Sequence, residues 1–108
     1  MTVKILGQAA PLATTESLLY TCPSATGTVI STIVVCNRGA TPSTFRVSVA
    51  GGGGATASKD YIYYDIVLAG NDTFAATFGI TLSATDKVQT YASTSNLSFN
   101  LFGEENLQ

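Results

Sequence analysis

The chain is 108 residues long, the size of one domain. Charged residues make up only 11% of it, against about 25% in an ordinary globular protein, the net charge is −2, and histidine and tryptophan are absent. Five scattered cations, Lys4, Arg38, Arg46, Lys59 and Lys87, exclude a phosphate-neutralising nucleic-acid surface, and no apolar run reaches the roughly 18 residues of a membrane span.

Residues 3–6 open the first predicted strand, with Val3 and Ile5 on one face, and a loop containing Pro11 follows over 7–17. Residues 17–22 predict a second strand on which Leu18, Tyr20 and Cys22 share a face. Pro23 ends it, having no N–H to donate to a ladder. Residues 28–37 predict the third strand. Ile33, Val34, Val35 and Cys36 are apolar on both faces, which suits a central strand covered on one side by an opposing sheet and on the other by a partner or neighbouring subunit.

Ser43–Ala50 alternates, with Phe45, Val47 and Val49 inward and Thr44, Arg46 and Ser48 outward. Four consecutive glycines, residues 51–54, come next and are the expected flexible point. They are followed by a strand rather than a helix, so they do not form a phosphate-binding loop. Residues 60–68 predict a fifth strand, with Ile62, Tyr64, Ile66 and Leu68 on one face and Tyr61, Tyr63, Asp65 and Val67 on the other. Thr73–Leu82 follows a turn at 69–72 and points Phe74, Ala76, Phe78, Ile80 and Leu82 inward. Lys87–Ala92 and residues 96–102 complete the set, with Leu97, Phe99 and Leu101 inward.

Strands at this spacing, separated by Gly-, Pro-, Asn- and Asp-containing turns, predict an all-β fold. The expectation is a two-sheet antiparallel β-sandwich of seven to eight strands, jelly-roll or Ig-like, as a single domain over residues 1–103. Residues 104–108 are expected to be a polar tail beyond the last strand, frayed or extended onto a neighbour.

Sixteen Thr and ten Ser replace the missing charge. Thr is a good strand residue, and a hydroxyl surface also meets another protein without desolvating ions. Cys22 and Cys36 admit two readings. Paired, they would close a loop worth about 3 kcal/mol; in a reducing cytoplasm they would stay separate as small buried groups. Residues 1–6 lack the basic region and apolar core of a signal peptide, which favours the cytoplasm and the reduced form.

General acid–base chemistry at neutral pH favours histidine. Without it, a catalytic pair would have to come from Asp60, Asp65, Asp72 and Asp86, of which Asp72 and Asp86 sit in turns where Asp bonds its own backbone. There is no CxxC and no EF-hand spacing. Neither an enzyme, nor a metal, nor a cofactor is expected. The residues that point outward to a partner are Tyr61 and Tyr63, with Asp65 next on the same face, Arg38 and Arg46, and Phe102 out of phase with Leu101.

Several segments carry a likeness in their order: LLYTCP at 18–23, VISTIVVCNRG at 29–39, TFRV at 44–47, YIYYD at 61–65, LAGNDT at 68–73 and STSNLSFN at 93–100. Together they resemble small virion structural proteins of tailed bacteriophages, including cyanophages, over about residues 1–103; the run of four glycines departs from that pattern. The resemblance implies a component made in the host cytoplasm, assembled into the virion in many copies and partnered by the major capsid protein or other virion proteins. It is read as a capsid decoration or cement protein, a homo-oligomer and most simply a trimer. The alternatives are a tail, neck or baseplate fibre domain and, from another class, a carbohydrate-binding module built on Tyr61 and Tyr63.

Overall fold

In the computed structural model, which describes residues 2–108, the alternation becomes eight strands: β1 (Thr2–Ala9), β2 (Ser17–Thr21), β3 (Thr26–Asn37), β4 (Ser43–Ala50), β5 (Tyr61–Leu68), β6 (Thr73–Leu82), β7 (Lys87–Ala92) and β8 (Leu97–Leu107). They form two antiparallel four-stranded sheets, ordered β1-β8-β3-β6 and β2-β7-β4-β5. Each strand of the first half pairs with its mirror in the second: β4 with β5, β3 with β6, β2 with β7 and β1 with β8. The chain is therefore one long hairpin, rolled so that β3 also meets β8 and β4 also meets β7. This nesting is the jelly roll, which decides between the two sandwich topologies the sequence leaves open.

The rolled ribbon closes over the apolar row of each strand. Ile30, Ile33 and Val35 of β3 and Leu97, Phe99 and Leu101 of β8 face Phe45 and Val47 of β4 and Val88 and Ala92 of β7, all of them buried. Phe45 sits among aromatic neighbours from both sheets: Phe74 at 5.2 Å, Phe99 at 6.1 Å and Tyr63 at 6.3 Å between ring centroids. Such tilted and edge-on pairs add about 0.5–1.5 kcal/mol each beyond the area they bury.

The two ends of the sandwich are tied by hydrogen bonds from turn to turn. At one end the buried Asn37 is fully used: its side-chain N–H groups donate to the Thr41 and Leu68 carbonyls, and its oxygen accepts from Gly39 N–H. At the other end Asp86 accepts from Ser83 N–H and, at 2.7 Å, from Gly52 N–H. The glycine run expected to be loose is thus folded into a single 3₁₀ turn, Gly51–Gly53, and pinned by a carboxylate. Gly52 and Gly53 have φ of 67° and 74°, which explains why glycine stands there. Cys22 is buried at the Asp86 end and Cys36 is half-buried at the Asn37 end. About eight strand residues of β3, on the order of 26 Å, separate their surroundings, and both thiols are free.

Four features differ from the sequence reading, and each has a local cause. β1 runs through Ala9, into the residues expected as loop, because Gly7, Gln8 and Ala9 pair with Leu101, Asn100 and Phe99 of β8 beyond an irregularity at Leu6. In β2 the register slips between Leu18 and Tyr20, so Leu19 and Tyr20 are both buried and Leu18 is turned outward. In β5 the register slips twice, between the partners of Phe45 and Val47 and again between those of Val47 and Ser48. Tyr63 therefore turns into the core, where outward had been expected, and Ile62 and Tyr64 become exposed, where inward had been expected. Finally, β8 continues to Leu107 through the residues expected beyond the last strand: Glu104, Glu105, Asn106 and Leu107 pair with β3, and Glu104 and Glu105 also pair with β1.

Gly103 lies where β8 is squeezed between β1 and β3, opposite Lys4 on one side and Ile30 on the other. A Cβ there would overlap the Val29 carbonyl oxygen, whereas a Cβ at Gly79 would meet nothing. Gly103→Ala is expected to cost about 2–3 kcal/mol and to lower the thermal midpoint by about 10 °C or more. Gly79→Ala should stay within about 0.5 kcal/mol of the parent. Thermal denaturation followed by circular dichroism checks both.

Candidate interaction site

The bulge in β5 builds the most organised cluster on the surface. Between the pairs Phe45↔Ile66 and Val47↔Tyr63, two residues of β5, Tyr64 and Asp65, oppose the single residue Arg46. Asp65 takes a left-handed conformation, φ 53°, which Asp tolerates better than most residues. The extra residue leaves Tyr64 and Asp65 both beside Arg46 on the outer face of the β2-β7-β4-β5 sheet. Arg46 Nε donates to Asp65 Oδ1 at 2.6 Å and Nη2 donates to Oδ2 at 3.3 Å. Its guanidinium carbon lies 4.2 Å from the Tyr64 ring centroid and 4.4 Å from that of Tyr91, its cross-strand neighbour on β7. Tyr61 meets Tyr64 edge-on at 4.9 Å. The hydrogen bond to Asp65 raises the Arg46 pKa further above its already high ordinary value, so the guanidinium is a fixed charge.

Of the six residues singled out in the sequence, Tyr61, Asp65 and Arg46 thus come together. Tyr63 is half-buried and turned inward, packed against Phe45 and Phe74. Phe102 is half-buried on the outer face of the opposite sheet, beside Ile5 and Thr32. Arg38 stands in the turn after β3, its side chain donating to the Ser95 carbonyl. The sequence reading missed Tyr64 and Tyr91. Tyr91 was legible as the outward neighbour of an inward Ala92; Tyr64 was not, because period-two alternation carried through the bulge assigns it to the wrong face.

The outer face of the β1-β8-β3-β6 sheet has a different chemistry. Val3 and Ile5 are 79% and 52% exposed, and Phe102, Val29, Val34 and Cys36 are half-buried around them. β6 contributes only small groups to this face, Thr73, Ala75, Thr77, Gly79 and Thr81, all exposed.

A polar network lies between β2 and the end of β8. Tyr20 Oη donates to Glu105 Oε2 at 2.5 Å and accepts from the Thr28 hydroxyl at 2.7 Å, while Lys4 donates to Glu105 Oε1 at 3.2 Å. Burial, and then the neighbouring carboxylate, hold the Tyr20 phenol protonated well above the ordinary tyrosine range. The Tyr20 hydrogen bond, and then Lys4, hold Glu105 below the ordinary carboxylate range.

The aspartates considered for catalysis are each engaged. Asp60 accepts from Ala57 N–H and Lys59, Asp65 from Arg46, Asp72 from Thr73 N–H, and Asp86 from Gly52 and Ser83 N–H. Among the described residues no three His, Cys, Asp or Glu side chains gather as a metal site, and no helix is long and apolar enough to cross a membrane. The arrangement suits contact with another macromolecule: a rigid Arg–Tyr cluster on one face and, on the other, an apolar patch whose one charged side chain is Glu104.

No family model and no curated protein matches the chain. Solved structures do. A chain in the structure of infectious bursal disease virus, Gt strain, superposes with a TM-score of 0.51 at 12% identity. A chain in that of the Gx strain gives 0.53 at 11%. Each match covers 96% of this chain and 30% of the viral one, so the protein spans about a third of the length of the chains it resembles. A pentameric capsid protein from metagenomic phage sequences superposes more loosely, at a TM-score of 0.36 and 12% identity over 89% of this chain and 58% of that one, too loosely to bear on the fold. The likeness to the bursal disease virus chains is one of fold: this β-sandwich also occurs as part of chains in virus structures.

The Glu105 network predicts a pH dependence. Its folded-state pKa lies below the unfolded value, so its contribution is complete above about pH 4.3 and is lost as pH falls through the folded value. Asp60, lowered by Ala57 N–H and Lys59, acts with the same sign. The thermal midpoint should be level from pH 8 to about pH 5 and fall below it. Glu105→Gln, which keeps an acceptor for Tyr20, should lower the midpoint at pH 7 and flatten the acid decline. Melting curves across that range check the sign.

Proposed function

We propose that the chain is a virion structural protein that binds the assembled head of a bacteriophage as a decoration or cement protein, docking through the outer face of the β2-β7-β4-β5 sheet. The observation that carries this reading is the preassembled cluster of Arg46, Tyr64, Tyr91 and Asp65. Tyr and Arg are the residues that dominate protein–protein binding energy. Here they are already held in place, so association loses little side-chain entropy. The sandwich itself adds no chemistry: its aspartates serve turns and ion pairs, which fits a part whose work is to join surfaces. The occurrence of this fold in chains of a virus supports the same reading. A virion location, and assembly in the host cytoplasm, follow from it.

The carbohydrate-binding alternative has lost its geometry. It needed Tyr61 and Tyr63 side by side in the open, and Tyr63 is half-buried and packed against the core, while the Tyr64 ring lies against Arg46 and Tyr61.

Particles of the phage that encodes this sequence should contain tens to hundreds of copies by quantitative mass spectrometry, and particles lacking it should lose heat resistance. Tyr64→Ala and Arg46→Ala should weaken binding to such stripped particles by about thirtyfold or more while the isolated protein keeps its β-sheet spectrum. A handful of copies confined to the tail, or a protein that never binds particles, would refute the reading.

A further inference from the structure

We propose that the outer face of the β1-β8-β3-β6 sheet is covered by the same face of a second copy of this chain, the two related by a two-fold axis parallel to the strands. This goes beyond the head-binding reading and stands on the opposite sheet.

Charge is the first argument. Among the outward positions of these four strands Glu104 is the single charged side chain, so association desolvates one carboxylate per copy and otherwise uncharged groups: apolar side chains, hydroxyls and the carboxamides of Gln8, Asn100 and Asn106, the first two already bonded to each other. Interfaces between identical subunits are more apolar than those with exchangeable partners, and poor in charge at their centre. The Arg46 face, with its ion pair and tyrosines, has the second composition and this face has the first.

Size is the second. Four strands spaced about 4.8 Å apart are about 19 Å wide, and strands of 8 to 12 residues rise about 26–40 Å. That is on the order of 600 Å² of projected face per copy, close to the roughly 800 Å² of accessible surface per partner in a standard stable interface.

Shape is the third, and it selects the axis. Strand pairing places the outward residues in rows across the sheet: Val3, Glu104, Val29 and Thr81 in one, Ile5, Phe102, Thr32 and Thr77 in the next. In both of these rows the β1 end is a bulky exposed aliphatic and the β6 end is small; a third row, Gln8, Asn100, Val34 and Ala75, starts from a polar residue on β1 and also ends small on β6. A two-fold axis parallel to the strands reverses the rows left to right and keeps their level. Val3 of one copy then lies over Thr81 of the other, Ile5 over Thr77, and the empty space above Gly79 is available to them. An axis across the strands would instead set β1 on β1, bulk against bulk. The sequence feature that first marked β3, apolar residues on both of its faces, has its inner half, Ile33 and Val35, explained by the core and its outer half, Val34 and Cys36, by this pairing.

The test is the mass of the isolated protein at about 100 µM, well above a micromolar Kd, by light scattering or sedimentation. The parent should run at twice its 11.2 kDa chain mass. Thr32→Arg and Thr77→Arg, at outward positions that leave the core untouched, should both run as single chains with an unchanged β-sheet spectrum. Val67→Arg, 70% exposed on the other sheet, should stay paired. Alkylation of Cys36, which lies on the proposed face, should slow as the parent is concentrated and not in the two arginine variants. A parent that remains a single chain, or that forms a trimer, overturns the proposal. So does pairing that survives both arginines or is lost in Val67→Arg. A single-chain parent whose Thr77→Arg form no longer binds phage particles would assign this face to the capsid instead. Failure here leaves the copy-number test of head binding untouched, and failure of head binding leaves the chain mass unaffected.

Discussion

The antiparallel ladder between β3 and β8 holds the molecule together. It is the longest pairing in the structure, running from Thr26↔Leu107 to Asn37↔Leu97. Each of its two strands also carries an edge strand, β6 on one side and β1 on the other. Its inner row, Ile30, Ile33 and Val35 with Leu97, Phe99 and Leu101, is at most 1% exposed, and burial of each such side chain contributes about 1.5–3 kcal/mol. The opposite sheet has that row to close against, and Phe45 meets it at the centre. Close approach of the two strands is why Gly103 has no side chain, since any Cβ there would enter the β3 backbone.

Much of this was legible in the residues. Clean period-two alternation in Ser43–Ala50, Thr73–Leu82 and Lys87–Ala92 predicts those strands to the residue and assigns Phe45, Val47 and Phe74 to the interior, because alternation translates directly into faces wherever pairing is regular. It fails where pairing is irregular. One additional residue reverses every face beyond it, so the bulges in β2 and β5 moved Leu18 outward, Tyr63 inward and Tyr64 to the surface. Nothing in the string YIYYD announces where its ladder slips. The end of β8 was missed for another reason: Glu104 to Asn106 carry no apolar signal, and their place in a strand is set by β1 and β3, which lie about 70 to 100 residues away in the chain. The Tyr20–Glu105 contact joins positions 85 apart and was equally invisible.

The two outer faces divide the surface chemistry between them. One concentrates the ordered charge and aromatic area, Arg46 with Asp65, Tyr64 and Tyr91. The other is nearly free of charge and rises from small residues on β6 to bulky ones on β1. A sandwich with 11% charged residues has little solvating charge for either face. Its carboxylates are spent on geometry instead: Asp86 on the Gly51–Gly53 turn, Asp60 on the loop before β5, Glu105 on the join between the sheets.

β1 has one ladder partner, and that partner is β8. On a ribosome adding about 5–20 residues per second, the first strand emerges several seconds before the last. For that interval Val3 and Ile5 lie on a segment with no sheet to join, and nested pairings of this kind are slow to close because their loops are long. The polypeptide can complete its sheets only once its far end has been made, so a truncated nascent chain would leave β1 as a sticky, unpaired strand.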